Sequence, residues 1–226
     1  MSYILNIDST TKVCSIALSN KDKLIQLVEL DSDGLVHSEK LHLFIHECLT
    51  KAKIKLSDLS AVAISKGPGS YTGLRIGTSA AKGLCYGLNI PLIAIETLTA
   101  MANSITPEVE SDAVLIPMID ARRVEVFCSI HQFGETSRHV HSRILDEEPF
   151  NEISAKNVYY FGDGAEKAQE YLNSSWNYIP DTKTTAKNLF KLAWQKFKNK
   201  DFEDIAYFEP YYHKDFKAGK AKNMLK

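Results

Sequence analysis

Two aspartates close apolar runs in the same way, and by type and place they are the residues of this chain best suited to chemistry. Asp8 ends Tyr3-Ile4-Leu5-Asn6-Ile7-Asp8 and precedes the turn Ser9-Thr10-Thr11. Asp120 ends Val114-Leu115-Ile116-Pro117-Met118-Ile119-Asp120 and precedes Ala121-Arg122-Arg123. A carboxylate at the mouth of each of two hairpins is how facing lobes hold a hydrated Mg²⁺ and its phosphates. The competing reading has each carboxylate accepting hydrogen bonds from its own turn. The second turn favours it, because a phosphate loop wants small residues whose N–H groups can approach, and Arg122 and Arg123 stand there instead. An arginine gripping a phosphate directly keeps weak nucleotide binding open, with Asp8, Asp120 and Arg122 as its residues.

Other groups carry less. Gly162-Asp163-Gly164 sits where a strand should turn into a helix, a place where an anion can meet helix N–H groups. Tight strand-to-helix turns share that composition, and the turn is the preferred reading. His42 and His46 lie four apart on a helix, a chelating spacing, but no cysteine or third histidine is near in sequence, so they read as a polar rim. Ser70 lacks the Gly-x-Ser-x-Gly setting of a nucleophile, and helix capping accounts for it. Cys14, Cys48, Cys85 and Cys128 are far apart, each in apolar company, without a Cys-x-x-Cys pair. They read as reduced core thiols, and no metal site is expected.

The elements that must position these groups follow from period and punctuation. Tyr3 to Asp8 and Val13 to Leu18 make an opening hairpin, and Lys23 to Leu30 adds a third strand. A helix from about His37 to Ala52 carries Leu41, Phe44, Ile45, Cys48, Leu49 and Ala52 on one face and leaves Leu43 outside it. After the strand Ala61 to Ile64 comes Ser65-Lys66-Gly67-Pro68-Gly69-Ser70-Tyr71-Thr72-Gly73-Leu74-Arg75-Ile76-Gly77. This is turn chemistry feeding a helix that starts near Ser70 or Thr72 and stops at Asn89 and Pro91. That helix holds Gly73, Gly77, Gly83 and Gly87, and each costs about 1 kcal/mol against alanine, so another backbone should lie very near it. A strand from Pro91 to Ile95 and a helix from Thr97 to about Asn103 close the first half. The second half repeats the shape with Val114 to Asp120, Val124 to Ile130, Arg138 to Leu145 and Val158 to Phe161. Helices are then expected at Ala165 to Leu172 and Thr184 to Lys198. The division falls near Ser104 to Asp112, giving lobes 1–105 and 106–226. Two units that each open with strand, Asp and hairpin predict an α/β protein of the actin-like ATPase (ASKHA, ribonuclease H-like) fold, each lobe a mixed sheet flanked by helices.

The balance of 27 basic and 28 acidic residues gives a formal net charge of −1, so there is no global field for nucleic acid. The start Met1-Ser2-Tyr3-Ile4-Leu5-Asn6-Ile7-Asp8 is neither cationic nor unbroken, so the expectation is a cytoplasmic protein without a membrane span.

Three segments carry a resemblance: Asn6-Ile7-Asp8-Ser9-Thr10-Thr11, Gly67 to Gly77, and Asp120-Ala121-Arg122-Arg123-Val124-Glu125-Val126. Together they resemble the TsaB (YeaZ) family over roughly the first 130 residues in register. Glu209-Pro210-Tyr211-Tyr212 resembles that family's C-terminal segment. The resemblance implies an actin-like subunit of the bacterial complex that attaches a threonylcarbamoyl group to adenosine beside the tRNA anticodon. It implies a scaffold role, with TsaD as catalytic partner, TsaE as accessory ATPase and tRNA reached through the complex. It also implies self-association when the related subunit is lacking. In the related catalytic subunit a His-x-x-x-His pair supplies metal ligands, and this chain has Thr97 and Met101 at those places, so no catalytic residue is expected. The alternative is a self-sufficient actin-like ATPase or phosphotransferase using Asp8 and Asp120. A peptidase reading finds no nucleophile with a base.

Two expectations concern surfaces. Gly73 and Gly77, continued by Ala80, Ala81 and Leu84, make a flat face that, with Leu43 on the neighbouring helix, is read as the site of the partner subunit. An internal helix or sheet is the rival occupant. Arg75 should reach back to the Ser65 to Ser70 loop or to an acid such as Glu39. The end of the chain carries Lys214, Lys217, Lys220, Lys222 and Lys226 against Asp215, which suits either tRNA phosphates or a solvated terminus, the latter preferred.

Overall fold

The computed structural model describes residues 1–32, 37–132, 135–146 and 149–213; the tail lysines from Lys214 onward lie outside the described residues. Strands β1 (Tyr3–Asp8), β2 (Val13–Asn20) and β3 (Lys23–Asp31) form a meander. Helix α1 (His37–Ala52), β4 (Leu59–Ser65), α2 (Tyr71–Leu88), β5 (Leu92–Ile95) and α3 (Thr97–Ile105) follow. They make a five-stranded sheet of order β3-β2-β1-β4-β5, with β2 antiparallel and β4 parallel to the central β1. The second sheet uses β6 (Val114–Asp120), β7 (Glu125–Gln132), β8 (Glu135–Ile144), β9 (Val158–Phe161) and β10 (Asn177–Ile179). Its order, β8-β7-β6-β9-β10, is the first sheet's order over again. The duplicated α/β architecture expected from the repeated strand, Asp and hairpin is therefore present.

Local chemistry explains the element ends. The Ser70 hydroxyl accepts the Gly73 N–H at 3.3 Å as the α2 N-cap, and Asn89 ends the helix in the left-handed region with φ 53°. Strands β1 and β4, covered on both faces, read as continuous apolar runs, whereas β3 at the sheet edge is mostly exposed. Three boundaries differ from expectation. The helix expected to Leu172 is a single turn, α4 (Ala165–Ala168), tightening into a 3₁₀ turn at Gln169–Tyr171. Strand β10, three residues long, gives too short a pattern to see in sequence. The helix expected from Thr184 starts later, as α5 (Phe190–Asn199), because Thr184 and Thr185 are drawn off to bond the first sheet.

Each half lends a helix to the other. Helices α1 and α2 cover one face of the first sheet through Leu41, Ile45, Leu49, Ala81 and Cys85. Its other face, where Ile4, Ala61, Ala63, Ile93 and Ile95 point, is covered by Leu189 and Ala193 at the start of α5. Helix α3 from the first half instead packs Leu98, Met101 and Ile105 against Leu115, Ile119, Phe127 and Phe161 of the second sheet. The four cysteines are free and buried, and burial pushes the Cys14 and Cys48 thiols up to about 11 and those of Cys85 and Cys128 up to about 12. They are inert core groups, as expected of them.

Candidate functional site

The β1–β2 turn is the point on which most of the molecule converges. Asp8 is 1% exposed. Its Oδ1 accepts the Thr10 N–H at 3.0 Å and the Thr10 hydroxyl at 2.7 Å, and its Oδ2 accepts the Ser65 hydroxyl at 2.5 Å. Burial raises its pKa above the usual carboxylate range, against the opposing pull of the Ser65 and Thr10 hydrogen bonds. Of the next three residues, Ser9 and Thr10 tie the start of α2 and Thr11 ties the start of α1. Ser9 Oγ donates to the Gly73 carbonyl at 2.8 Å, the Thr10 carbonyl accepts the Ser70 N–H at 2.6 Å, and the Thr11 carbonyl meets His37 Nε2 at 2.7 Å. Thr11 Oγ1 also lies 2.6 Å from Thr184 Oγ1, and Ser15 Oγ 3.1 Å from Thr185 Oγ1.

The glycines of the following loop exist for this turn. A Cβ on Gly69 would run into the Thr10 carbonyl, on Gly73 into the Ser9 carbonyl oxygen, and on Gly77 into Ser9 Oγ. The close backbone approach expected of α2 is real, and its recipient is the chain's own β1–β2 turn. Gly73, Gly77, Ala80 and Ala81 are buried and Leu84 packs on the core, so this line faces inward and of the expected surface only Leu43 stands clear, 59% exposed. The outer side of α2 is lined instead by Gly83 and Gly87, which have open space above them, and by Tyr86, 84% exposed. Arg75 lies over the Tyr71 ring, 4.6 Å from its centroid, rather than on the loop or Glu39.

The C-terminal strap, residues 203–213, closes over the same loop. Gly67, at φ +113°, leaves room for the Tyr211 carbonyl, to which a Cβ would come within 2.6 Å. The Tyr211 N–H donates to the Lys66 carbonyl at 2.6 Å, the Tyr212 ring packs tilted against Tyr71 with centroids 4.6 Å apart, and Lys82 Nζ donates to the carbonyls of Ala206 and Phe208.

The second aspartate is in a different state. Asp120 is exposed, and its Oδ1 accepts the Arg122 N–H at 2.8 Å and Lys167 Nζ. Lys167 also donates to the carbonyls of Arg123 and Glu125, pinning a turn in which Arg122 and Arg123 adopt φ of 69° and 53°. Asp163 accepts the Asp120 N–H at 3.1 Å, and burial raises its pKa. Lys12, from the first turn, and Lys167 are among the charges that oppose that rise. Gly162 and Gly164 are glycines because a Cβ on either would strike the Met118 or Ile119 backbone. Each aspartate is thus a turn acceptor. A cation would have to displace three donors from Asp8 and an ammonium group from Asp120. Thr97 and Met101 are buried, and no group of three His, Cys, Asp or Glu side chains among the described residues is placed to hold a metal ion, His42 and His46 included.

Lys167, Thr184 and Thr185 were not visible as site residues in the sequence, and no local signal marks them. The Tyr211-Tyr212 pair was visible as a motif only.

Comparison with known proteins places this geometry. The family model described as "TsaD: tRNA N6-adenosine threonylcarbamoyltransferase" matches residues 35–221. The Haemophilus influenzae "tRNA threonylcarbamoyladenosine biosynthesis protein TsaB" is 26% identical over 220 residues, 92% of each chain. The Escherichia coli protein of that name is 36% identical over 132 residues, 58% of this chain and 56% of that one. The chain belongs to this family, on its TsaB (YeaZ) branch. A Pseudomonas aeruginosa protein with similarity to the peptidase YeaZ superposes on this TsaB-type chain with a TM-score of 0.79 at 25% identity, over 95% of this chain and all of that one. The Acidaminococcus fermentans (R)-2-hydroxyglutaryl-CoA dehydratase component A gives 0.51 at 11% identity, over 89% of this chain and all of that one, a likeness of fold alone. No helix among the described residues of the TsaB-type chain is long and apolar enough to cross a membrane.

The burial of Asp8 has a measurable consequence. In Asp8→Ala three buried donors lose their acceptor, and urea unfolding should show a loss of about 3 kcal/mol, since each such group left unpaired costs about 1–3 kcal/mol. Asp8→Asn keeps an acceptor and the shape, and should stay within about 1 kcal/mol of wild type. The native state holds the Asp8 proton to higher pH than the unfolded chain does. Wild-type stability relative to Asp8→Asn therefore falls as pH rises from the ordinary aspartate range to the raised value, and is level above it. A flat difference between the two curves would show that the Asp8 pKa is not raised in the native state.

Proposed function

We propose that this chain is a non-catalytic scaffold subunit of the bacterial complex that forms N6-threonylcarbamoyladenosine beside the anticodon of tRNAs. In this reading it works in the cytoplasm, binding and supporting a TsaD-like catalytic subunit. A TsaE-like ATPase joins the assembled complex, tRNA is reached through it, and the chain pairs with itself when the catalytic subunit is missing. The observation that carries the reading is Asp8, the carboxylate an actin-like phosphotransferase would turn to its metal. Here it is buried and bonded to Thr10 and Ser65. Thr97 and Met101, packed inside, offer a divalent cation no useful ligand. The names of the relatives supply the pathway.

The surface we assign to the partner is the outer side of α1 and α2, with Leu43 and Tyr86 as anchors and Gly83 and Gly87 admitting a helix closely. The test is size-exclusion chromatography of the chain with a TsaD-like subunit, alongside ATP turnover by the chain alone. The expected result is co-elution and no turnover above background. Robust hydrolysis by the isolated chain, abolished by Asp8→Asn, would establish the self-sufficient ATPase instead.

A further inference from the structure

Helix α5 spends its apolar side on the first sheet: Leu189 and Ala193 are fully buried there, and Leu192, Trp194 and Phe197 pack beside them. What the helix turns outward is of one sign. From position 187 to position 200 the chain carries Lys187, Lys191, Lys196, Lys198 and Lys200 and no Asp or Glu, in a protein whose 27 basic and 28 acidic residues otherwise nearly cancel. Two of these lysines have acids of their own. Lys196 pairs with Asp201 at 2.7 Å, and Lys187 opens onto a hollow shared with Glu29, Asp31, Glu108 and Asp181. Lys191, Lys198 and Lys200 are exposed and make no ion pair among the described residues. Seven positions separate Lys191 from Lys198, so they stand on one side of the helix about 10 Å apart along its axis, with exposed Gln195 between them. Helix electrostatics explains only part of this line. The dipole favours Lys198 and Lys200 at the C-terminal end, but it disfavours Lys191, the second residue of α5. A helix face that only needs water commonly mixes signs, as Glu47 and Lys51 do on α1. Lys198 is moreover held in place, its Nζ 5.9 Å from the centroid of the Trp194 ring.

A line of cations without acids fits a polyanion. An anionic bilayer would also take up an apolar helix side, and that side of α5 is already used on the sheet. A nucleic-acid backbone needs the charges alone. We propose that the outer face of α5, through Lys191, Lys198 and Lys200, lies along the phosphate backbone of an RNA. The choice of RNA rests on the function proposed above; the phosphate chemistry rests on this helix alone. The contact reads charge and not bases, so it positions the RNA without selecting its sequence. Helices α1 and α2 cover the opposite face of the same sheet, so RNA and the partner subunit can be held at once. The net charge of −1 is no obstacle, because screening confines such a contact to about 10 Å around the lysines.

The experiment is fluorescence anisotropy of the full chain with a fluorescein-labelled RNA stem-loop, from about 50 to about 200 mM KCl. Three neutralised phosphates give a log–log slope of about −2 to −3. Changing Lys191, Lys198 and Lys200 together to Gln should weaken binding about tenfold or more at the lowest salt and flatten the slope. Changing the same three to Arg, which keeps the charge, should preserve both affinity and slope. A control variant with Lys21, Lys23 and Lys53 changed to Gln removes equal charge from exposed positions on other elements and should bind within about twofold of wild type. All three α5 lysines are exposed, so the thermal midpoint should not move in either variant. The proposal is overturned if the wild-type chain fails to bind the RNA at the lowest salt, or if the α5 Gln variant binds like wild type. It is also overturned if the control variant loses as much, which would make the effect one of net charge. A further overturning result is loss of binding to phosphatidylglycerol vesicles in the α5 Gln variant while its RNA binding persists, which would make the face a membrane contact. Co-elution with the TsaD-like subunit is scored separately, so loss of RNA binding with co-elution intact removes this inference and leaves the scaffold role standing.

Discussion

Gly73→Ala is expected to destabilise the chain by about 3 kcal/mol or more, although alanine is the better helix former by about 1 kcal/mol. The added Cβ would sit on the Ser9 carbonyl oxygen, which is backbone and cannot swing aside. Relief requires moving the β1–β2 turn away from α2. That movement lengthens the bond from Ser9 Oγ to the Gly73 carbonyl and the one from the Ser70 N–H to the Thr10 carbonyl, and it disturbs the donors around Asp8. The Ser9 bond and the donors around Asp8 are shielded from water, so the losses exceed the gain in propensity. Gly83→Ala is the control on the same helix. Nothing lies within 4 Å of its Cβ position, and it should stabilise by about 0.5–1 kcal/mol. Urea midpoints at constant m-value decide the matter. Equal effects of opposite location, with Gly73→Ala as harmless as Gly83→Ala, would mean that the turn does not rest on the helix.

Leu43→Glu should leave folding untouched and abolish co-elution with a TsaD-like subunit. The side chain is 59% exposed and lies off the Leu41, Ile45, Cys48 and Leu49 stripe that holds α1 to the sheet, so a carboxylate there stays in water in the free chain. Inside an interface the same carboxylate would be stripped of water with no counter-charge supplied, a penalty of about 3–5 kcal/mol that weakens binding more than 100-fold. Tyr86→Ala, removing the other exposed anchor, should weaken binding by a smaller factor, as truncation of a central tyrosine does. The proposed surface is wrong if Leu43→Glu, with an unchanged thermal midpoint, still co-elutes at wild-type affinity.

Much of this was legible from residues alone. The alternation and apolar runs of Tyr3 to Asp8, Val13 to Leu18, Ala61 to Ile64 and Val114 to Asp120 predicted strands that are present. The cap at Ser70 and the stop at Asn89 bounded α2 to within a residue or two. The repeated strand, Asp and hairpin announced two equivalent sheets, and the Arg122-Arg123 pair already argued that Asp120 serves its own turn. These readings succeed because period, capping and turn chemistry act between residues a few positions apart, where a sequence displays both partners side by side.

The recipients of the packing faces were decided by tertiary structure. Sequence showed that something must lie close on Gly73 and Gly77, and only the fold showed that it is Ser9, so a face expected to await a partner is occupied from within. Sequence gave α5 an apolar side but not the sheet it covers, and α3 and α5 each cross to the opposite half. Thr184 and Thr185 read as the start of a helix until Thr11 and Ser15, about 170 positions earlier, claim their hydroxyls. A flat glycine line or an apolar stripe specifies the shape and chemistry of what it will accept. Which segment arrives there depends on contacts between residues far apart in the chain, and those are set by how both sheets fold as a whole.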